Sequence, residues 1–150
     1  MSDLCIRAAG PDDAEAISRV VIQALRHSNA QDYPATVIER VAGNFSAAAV
    51  TRLLVVRQVL VAEQEGAIVG TASLDGEVVR TVFVAPAVQG CGVGRALMSA
   101  IELMAKQAGV QRLTVPSSLT ARAFYAALGY SLVREVVDND EITQVMMRDL

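Results

Sequence analysis

Apolar residues recur in this chain with two different periods. Ala14, Ile17, Val20, Val21, Ala24 and Leu25 fall three or four apart, so they share one face of a helix running to about Arg26. A short strand, Leu4 to Ala8, precedes it, and Gly10-Pro11-Asp12-Asp13 punctuates the chain between them. An acidic residue near Asp12 can accept hydrogen bonds from the first free helix amides. Arg26 to Gln31 is polar and reads as loop. Asp32-Tyr33-Pro34 turns the chain into a second helix, Ala35 to Ala42, and Gly43-Asn44 breaks it. Ser46 is placed to cap a third, Ala47 to about Arg57.

The period then shortens. Val59 to Glu63 and Ala67 to Leu74 read as strands joined at Glu65-Gly66. Asp75-Gly76 predicts a type I′ hairpin turn, with both residues at positive φ. Val78 to Val84 is β-branched and almost wholly apolar, as for a central strand buried on both faces, and Pro86 stops it. Beyond the run Gln89-Gly90-Cys91-Gly92-Val93-Gly94, the residues Leu97, Met98, Ile101, Met104, Ala105 and Ala108 stripe a long helix that Gly109 ends. Leu113 to Val115 is a short strand. Ser118 or Thr120 can cap a helix from about Ala121 to Leu128, with Gly129 beyond it. Two strands, Ser131 to Val137 and Ile142 to Arg148, flank the turn Asp138-Asn139-Asp140. The order is that of one mixed α/β domain over residues 1–150, with no internal repeat and no linker.

Composition narrows the class. Apolar residues make up 53% of the 150 and aromatic residues only 4%, so aliphatic side chains and methionine must fill the core. A net charge of -3 gives no electrostatic reason to expect nucleic acid, and a mildly acidic surface tolerates a cationic substrate. The two cysteines and single histidine provide no metal-ligand spacing, so no metal is expected. Met1 to Cys5 lacks the basic and apolar regions of a signal peptide, and charges interrupt every apolar run before the ~18 residues of a membrane span. The expectation is a cytoplasmic protein without a membrane partner.

The glycine-rich turn carries the candidate chemistry. It joins a strand to a helix whose first amides are unpaired and whose N-terminus carries about half a positive charge. Glycines allow positive φ and close approach of backbone to a ligand. Together these build a cradle for a phosphate or pyrophosphate, to which Arg95 in the first helical turn adds a cation. The spacing fits neither the Rossmann pattern nor a P-loop. On spacing alone, a turn that binds nothing remains an alternative.

The run Val82-Phe83-Val84-Ala85-Pro86-Ala87-Val88-Gln89-Gly90-Cys91-Gly92-Val93-Gly94-Arg95-Ala96-Leu97 resembles motif A of the GNAT acetyltransferase superfamily, with Gln89, Gly92 and Gly94 at its fixed positions. Cys91 stands where the family often has Lys or Arg. Ser117 to Tyr130 resembles motif B, through Ala121, Phe124, Tyr125, Gly129 and Tyr130, with Thr120 near a position often held by Asn. The resemblance covers roughly Val59 to Arg148. It implies an α+β domain with a central mixed, mostly antiparallel sheet of about seven strands and four or five flanking helices. It implies acetyl-CoA as co-substrate and an amine as acceptor. The backbone of Val82 and Val84, with Phe83 between them, would hold the pantetheine arm and Gln89 to Arg95 the pyrophosphate; Ser118 or Thr120 would supply a cofactor-side hydrogen bond, Tyr125 would lie near the CoA sulfur, and Phe124 beside it is accounted for by helix packing. Many members of the superfamily form homodimers, which leaves that assembly open here.

The implied chemistry is direct attack of a neutral amine on the thioester, with the Val84 amide facing the oxyanion. A phenol of pKa ≈ 10 can protonate a departing thiolate, which makes Tyr125 the candidate acid. An alkyl amine near pKa ~10 must lose a proton first, and Glu77, at the start of the strand leading to the turn, is the candidate base. A solvated hairpin residue is the plainer account of Glu77, as exposure is of His27. Cys91 as an acyl carrier lacks a neighbouring base. Asp138, Asp140 and Glu141 either attract a cationic acceptor or form a solvated turn, and Asp32-Tyr33-Pro34 is a candidate acceptor wall. Two other classes stay open: a non-catalytic acyl-CoA-binding regulatory module, and an unrelated phosphate-binding domain.

Overall fold

Seven strands hydrogen-bond side by side in the order β1-β2-β3-β4-β5-β7-β6, and every neighbouring pair is antiparallel except β4 and β5. The computed structural model describes residues 3–150. Along the chain run β1 (Leu4–Ala8), α1 (Ala14–His27), α2 (Ala35–Ala42), α3 (Ala47–Val56), β2 (Gln58–Gln64), β3 (Ala67–Asp75), β4 (Val78–Val84), α4 (Val93–Gln107), β5 (Arg112–Ser118), α5 (Arg122–Ala127), β6 (Ser131–Asp138) and β7 (Glu141–Asp149). Five helices and a seven-stranded mixed sheet form the expected α+β domain.

The alternation of side chains along a strand sorts the core into two layers. Leu60 and Ala62 of β2 face α4, whose Leu97, Met98, Ile101 and Ala105 are buried on them with Tyr125 and Tyr130. Val61, between them, faces Ile17, Val21 and Leu25 of α1 and Ile38 of α2 on the other side. The apolar stripe of α1 thus packs where its period directs. Ser46 Oγ accepts from the Ala49 amide (3.2 Å), so the expected cap of α3 is present. Asp13, rather than Asp12, works ahead of α1: its carboxylate accepts from the Gly10 amide (2.8 Å) and pairs with Arg7 (2.8 Å). The Arg7 guanidinium holds that carboxyl below its usual range.

Two strand expectations are corrected. In the β3–β4 hairpin Asp75 pairs with Val78, so the central residues are Gly76 and Glu77. Of these only Gly76 has positive φ (61°), the requirement of a type II′ turn rather than type I′. The second correction concerns β4. Of its seven residues only Val79 is buried, and the others are partly exposed because the strand walls a cleft.

That cleft exists because β4 and β5 separate. They pair at one position, Val78 with Thr114, where the Thr114 amide donates to the Glu77 carbonyl (3.0 Å). Antiparallel pairing alternates, and the Leu150 amide bonds the Gln111 carbonyl. In this register the even-numbered residues of β5 turn their amides toward β4. The next rung toward β4 therefore needs an amide at residue 116, which is proline. Pro116 leaves its antiparallel ladder with β7 intact and removes the donor that would extend the parallel one. On the facing strand a bulge shifts the β3–β4 register between Thr71 and Ser73, and Thr81 adopts a φ of 53°. A β-branched residue in that region is strained, and it bends β4 away at the same level. The sequence reading ended β5 at Val115. The strand runs to Ser118 because β7 pairs with it throughout.

A Pro116→Val variant restores the missing donor. The amide introduced at position 116 should become protected in hydrogen exchange, and an unprotected amide there would assign the open seam to the bulge alone.

Candidate functional site

Where β4 ends, the chain turns through Pro86–Val88 and enters α4. Gly92 caps α4 with a φ of 89°, a conformation that costs other residues about 1–2 kcal/mol. Gly94 is required for a different reason: a Cβ there would lie 3.1 Å from the Phe124 ring. This packs the start of α4 directly on α5. The turn consumes some of its own amides. Gln89 donates to Pro86 and Cys91 to Val88, so those two do not face a ligand. The amides of Gly90, Gly92, Val93, Gly94 and Arg95 make no hydrogen bond among the described residues, and all five residues line the cleft. The first internal bond of α4 is Ala96 to Gly92. The cradle is thus narrower than the run of six residues suggested, and it extends to Arg95.

The cleft encloses about 790 Å³. Its walls bring together Val82, Phe83, Val84, Gly90, Gly92 to Arg95, Ser118, Thr120, Phe124 and Tyr125. Ala85 donates to Val69 (2.8 Å), so alternation turns the Val84 amide away from β3 and toward the open seam. The Val84 carbonyl accepts from the Gln89 side chain (3.2 Å), which also reaches Ser28 (2.9 Å). Gln89 therefore braces the end of β4 against α1 through its side chain. Val82 and Val84 pack toward the α4 layer, and Phe83 packs on the opposite face, edge-on to Phe45 with ring centres 6.3 Å apart.

Tyr125 is 3% exposed and stacked edge-on against Phe124 and Tyr130. Its hydroxyl hydrogen-bonds no described residue, and burial pushes the phenol well above its ordinary pKa. The side chain stays a neutral donor. Tyr130 differs: its hydroxyl donates to Glu102 (2.8 Å), and it serves as a core anchor. Ser118 Oγ accepts from the Ala121 amide (3.1 Å), the expected capping contact, while Thr120 donates to Asp32 (2.7 Å).

Other candidates lie elsewhere. Glu77 is exposed in the β3–β4 turn, outside the cleft, and seven residues of strand at roughly 3.3 Å each separate it from Val84. It is not part of the lining that Tyr125 shares. His27 and Cys91 are exposed, as are Asp138 and Asp140. Glu141 does line the cleft, beside Arg40 at 3.8 Å. Arg57, Arg80 and Arg95 also line it, so the charged side chains of the lining carry a net positive charge. Ser28, Asn29, Phe45 and Arg57 escaped the sequence reading, because they belong to no motif and reach the cleft only through the packing of α1 and α3. No group of three or more His, Cys, Asp or Glu is arranged to hold a metal among the described residues, and no described helix is long and apolar enough to cross a membrane.

Residues 17–149 match the model of the Acetyltransferase (GNAT) domain. The chain belongs to the GNAT acetyltransferase family. A GCN5-related N-acetyltransferase of Rhodopseudomonas palustris, also described as an aminotransferase, class-II, is 29% identical with a TM-score of 0.93, over 100% of this chain and 98% of that one. YncA of Salmonella typhimurium, a putative acetyltransferase solved with acetyl-CoA, is 26% identical with a TM-score of 0.67, over 98% and 94%. The PaiA N-acetyltransferase of Thermoplasma acidophilum, solved with coenzyme A, shares the fold at 16% identity and a TM-score of 0.85, over 99% of both chains. No curated protein sequence matches the chain. In this GNAT domain the two motif segments form one wall of the cleft, and helices α1 and α2 form the other.

The two walls are latched by Tyr33. Its hydroxyl accepts from the Leu119 amide (2.8 Å) and donates to the Ile142 carbonyl. Tyr33→Phe orphans both groups and should cost about 1–3 kcal/mol, read as a lowered denaturant midpoint with an unchanged slope.

Proposed function

We propose that this protein is an acetyl-CoA-dependent N-acetyltransferase that moves an acetyl group directly to the amine of a small molecule, an amino acid or a peptide. One observation carries the reading: five unpaired amides at the start of α4 line the same cleft as Tyr125, a buried side chain whose hydroxyl has no partner among the described residues. The amides of Gly90, Gly92, Val93, Gly94 and Arg95, at the positive end of the α4 dipole, suit a pyrophosphate, and the Arg95 side chain adds a charge. The gap between β4 and β5 admits an extended arm, which Val82 and Val84 meet through their backbone. The bound co-substrate supplies an activated acetyl thioester.

The residues of the chain then divide the work. The Val84 amide points into the gap and is placed to donate to oxygen where negative charge builds. Tyr125 holds its proton at Oη. A phenol raised above its usual pKa gives up that proton only to a sulfur carrying full thiolate charge, so its contribution concentrates late in the reaction. The amine loses its proton to water or to Glu141, the carboxylate that lines the cleft. Glu77 is not carried forward as base. Its place outside the cleft is also what keeps the non-catalytic acyl-CoA-binding module in view, and thiol release from acetyl-CoA against an amine panel decides between the two.

Two variants test the parts separately. Gly92→Glu places a carboxylate in the cradle and a side chain at positive φ. It should abolish CoA binding in calorimetry at a stability cost of about 1–2 kcal/mol, and unchanged affinity would refute the cradle. Tyr125→Phe should lower kcat by roughly 10²- to 10⁴-fold with little change in CoA affinity. An unaltered rate removes Tyr125 from the mechanism.

A further inference from the structure

Four charged side chains line the cleft, and three of them have an evident counterpart. Arg80 pairs with Asp75 (3.1 Å), Glu141 faces Arg40 (3.8 Å), and Arg95 stands at the cradle, where phosphates are expected. Arg57 is left over. It follows the last turn of α3, and its Nη1 donates to Thr81 Oγ1 (3.1 Å). It forms no ion pair among the described residues, although it is half-buried beside Phe45 in the cleft wall. Burial disfavours its charged form, the neighbouring Arg80 adds to that effect, and Asp75, which is itself paired with Arg80, opposes it. A guanidinium does not deprotonate under these conditions, so the cation stays, and its desolvation is offset only in part, by Asp75 and the Thr81 hydroxyl.

Its position along β4 tells which ligand it faces. Thr81 lies three residues before Val84, roughly 10 Å at strand spacing, on the side away from the cradle. Val84 and Tyr125 mark the reacting centre, so Arg57 lies beyond it, toward the acceptor. The strained bulge at Thr81 turns that hydroxyl to Arg57 and fixes one edge of the guanidinium, leaving its remaining N–H groups available.

Building on the acetyltransferase reading above, we infer that Arg57 forms the anion subsite of the acceptor pocket, and that the acceptor is an amine that also bears a carboxylate. A guanidinium matches a carboxylate in a planar, two-pronged contact. The aromatic pair Phe45–Phe83 lines the same cleft and adds apolar surface there. Diamines and other polycations are disfavoured acceptors, since a second positive charge would meet Arg57.

Matched acceptors test this: amino acids and dipeptides, each as free carboxylate and as carboxamide, followed by thiol release from acetyl-CoA. The unaltered protein should favour the carboxylate member in kcat/KM by about tenfold or more, the size expected for one charge-assisted contact. Arg57→Gln should erase that preference through KM, with kcat and calorimetric CoA affinity unchanged, and Arg57→Lys should restore part of it. Equal use of both members by the unaltered protein, no turnover of any carboxylate-bearing acceptor, or an equal loss for both members in Arg57→Gln overturns the inference. The first of these needs no variant, so a poorly folded substitution does not shield the idea. Failure of the unaltered protein to bind CoA would instead defeat the function itself, a separate result.

Discussion

A single rung between two parallel strands governs this molecule. β4 and β5 are joined where the Thr114 amide meets the Glu77 carbonyl, and the ladder goes no further because Pro116 has no hydrogen to donate. Had it continued, the sheet would be closed and its centre filled. Instead alternate amides of β4 beyond the bulge, that of Val84 among them, turn toward a space large enough for a ligand. A sheet usually hides its hydrogen-bonding groups within itself, and here a few are held back from pairing by a residue that cannot pair.

The packing of the two layers explains why this opening does not collapse. α4 is anchored below it by Leu97, Met98 and Ile101, all at most 1% exposed, so the start of that helix cannot drift into the gap. Gly94 lets the Phe124 ring sit against the first turn, and that contact fixes α5 and with it Tyr125. Across the cleft the Arg40 guanidinium reaches the Asn139 carbonyl (2.9 Å) and ties α2 to the last hairpin. The cleft is therefore bounded by packed elements on three sides.

Much of this was legible in the residues. The periodicity of Ala14 to Leu25 and of Leu97 to Ala108 placed two helices correctly, and the glycine run between β4 and α4 marked the turn whose free amides line the cleft. What the sequence concealed was mostly register and long-range packing. Whether Gln89 faces a ligand or a neighbour depends on Ser28, 61 positions away. The burial expected for Val78 to Val84 failed because an apolar strand reads the same whether it meets a core or walls a cleft. Glu77 was attractive as a base from its strand alone, but a position in a strand gives no depth along the cleft. Arg57 carried no local signal at all, since its setting comes from α3 ending beside a bulge in β4.

The Tyr33 latch has a consequence for how the chain comes together. Its two partners lie 86 and 109 positions downstream, and the strand that completes β5, β7, follows every other element in sequence. During synthesis, which proceeds from the N-terminus, α1 to α3 and the β2–β4 meander can form early, but the pocket they share with α5 cannot. The nascent protein therefore spends its growth with an apolar half-sheet exposed along β4, and becomes competent for its ligand only once β7 slides in between β5 and β6.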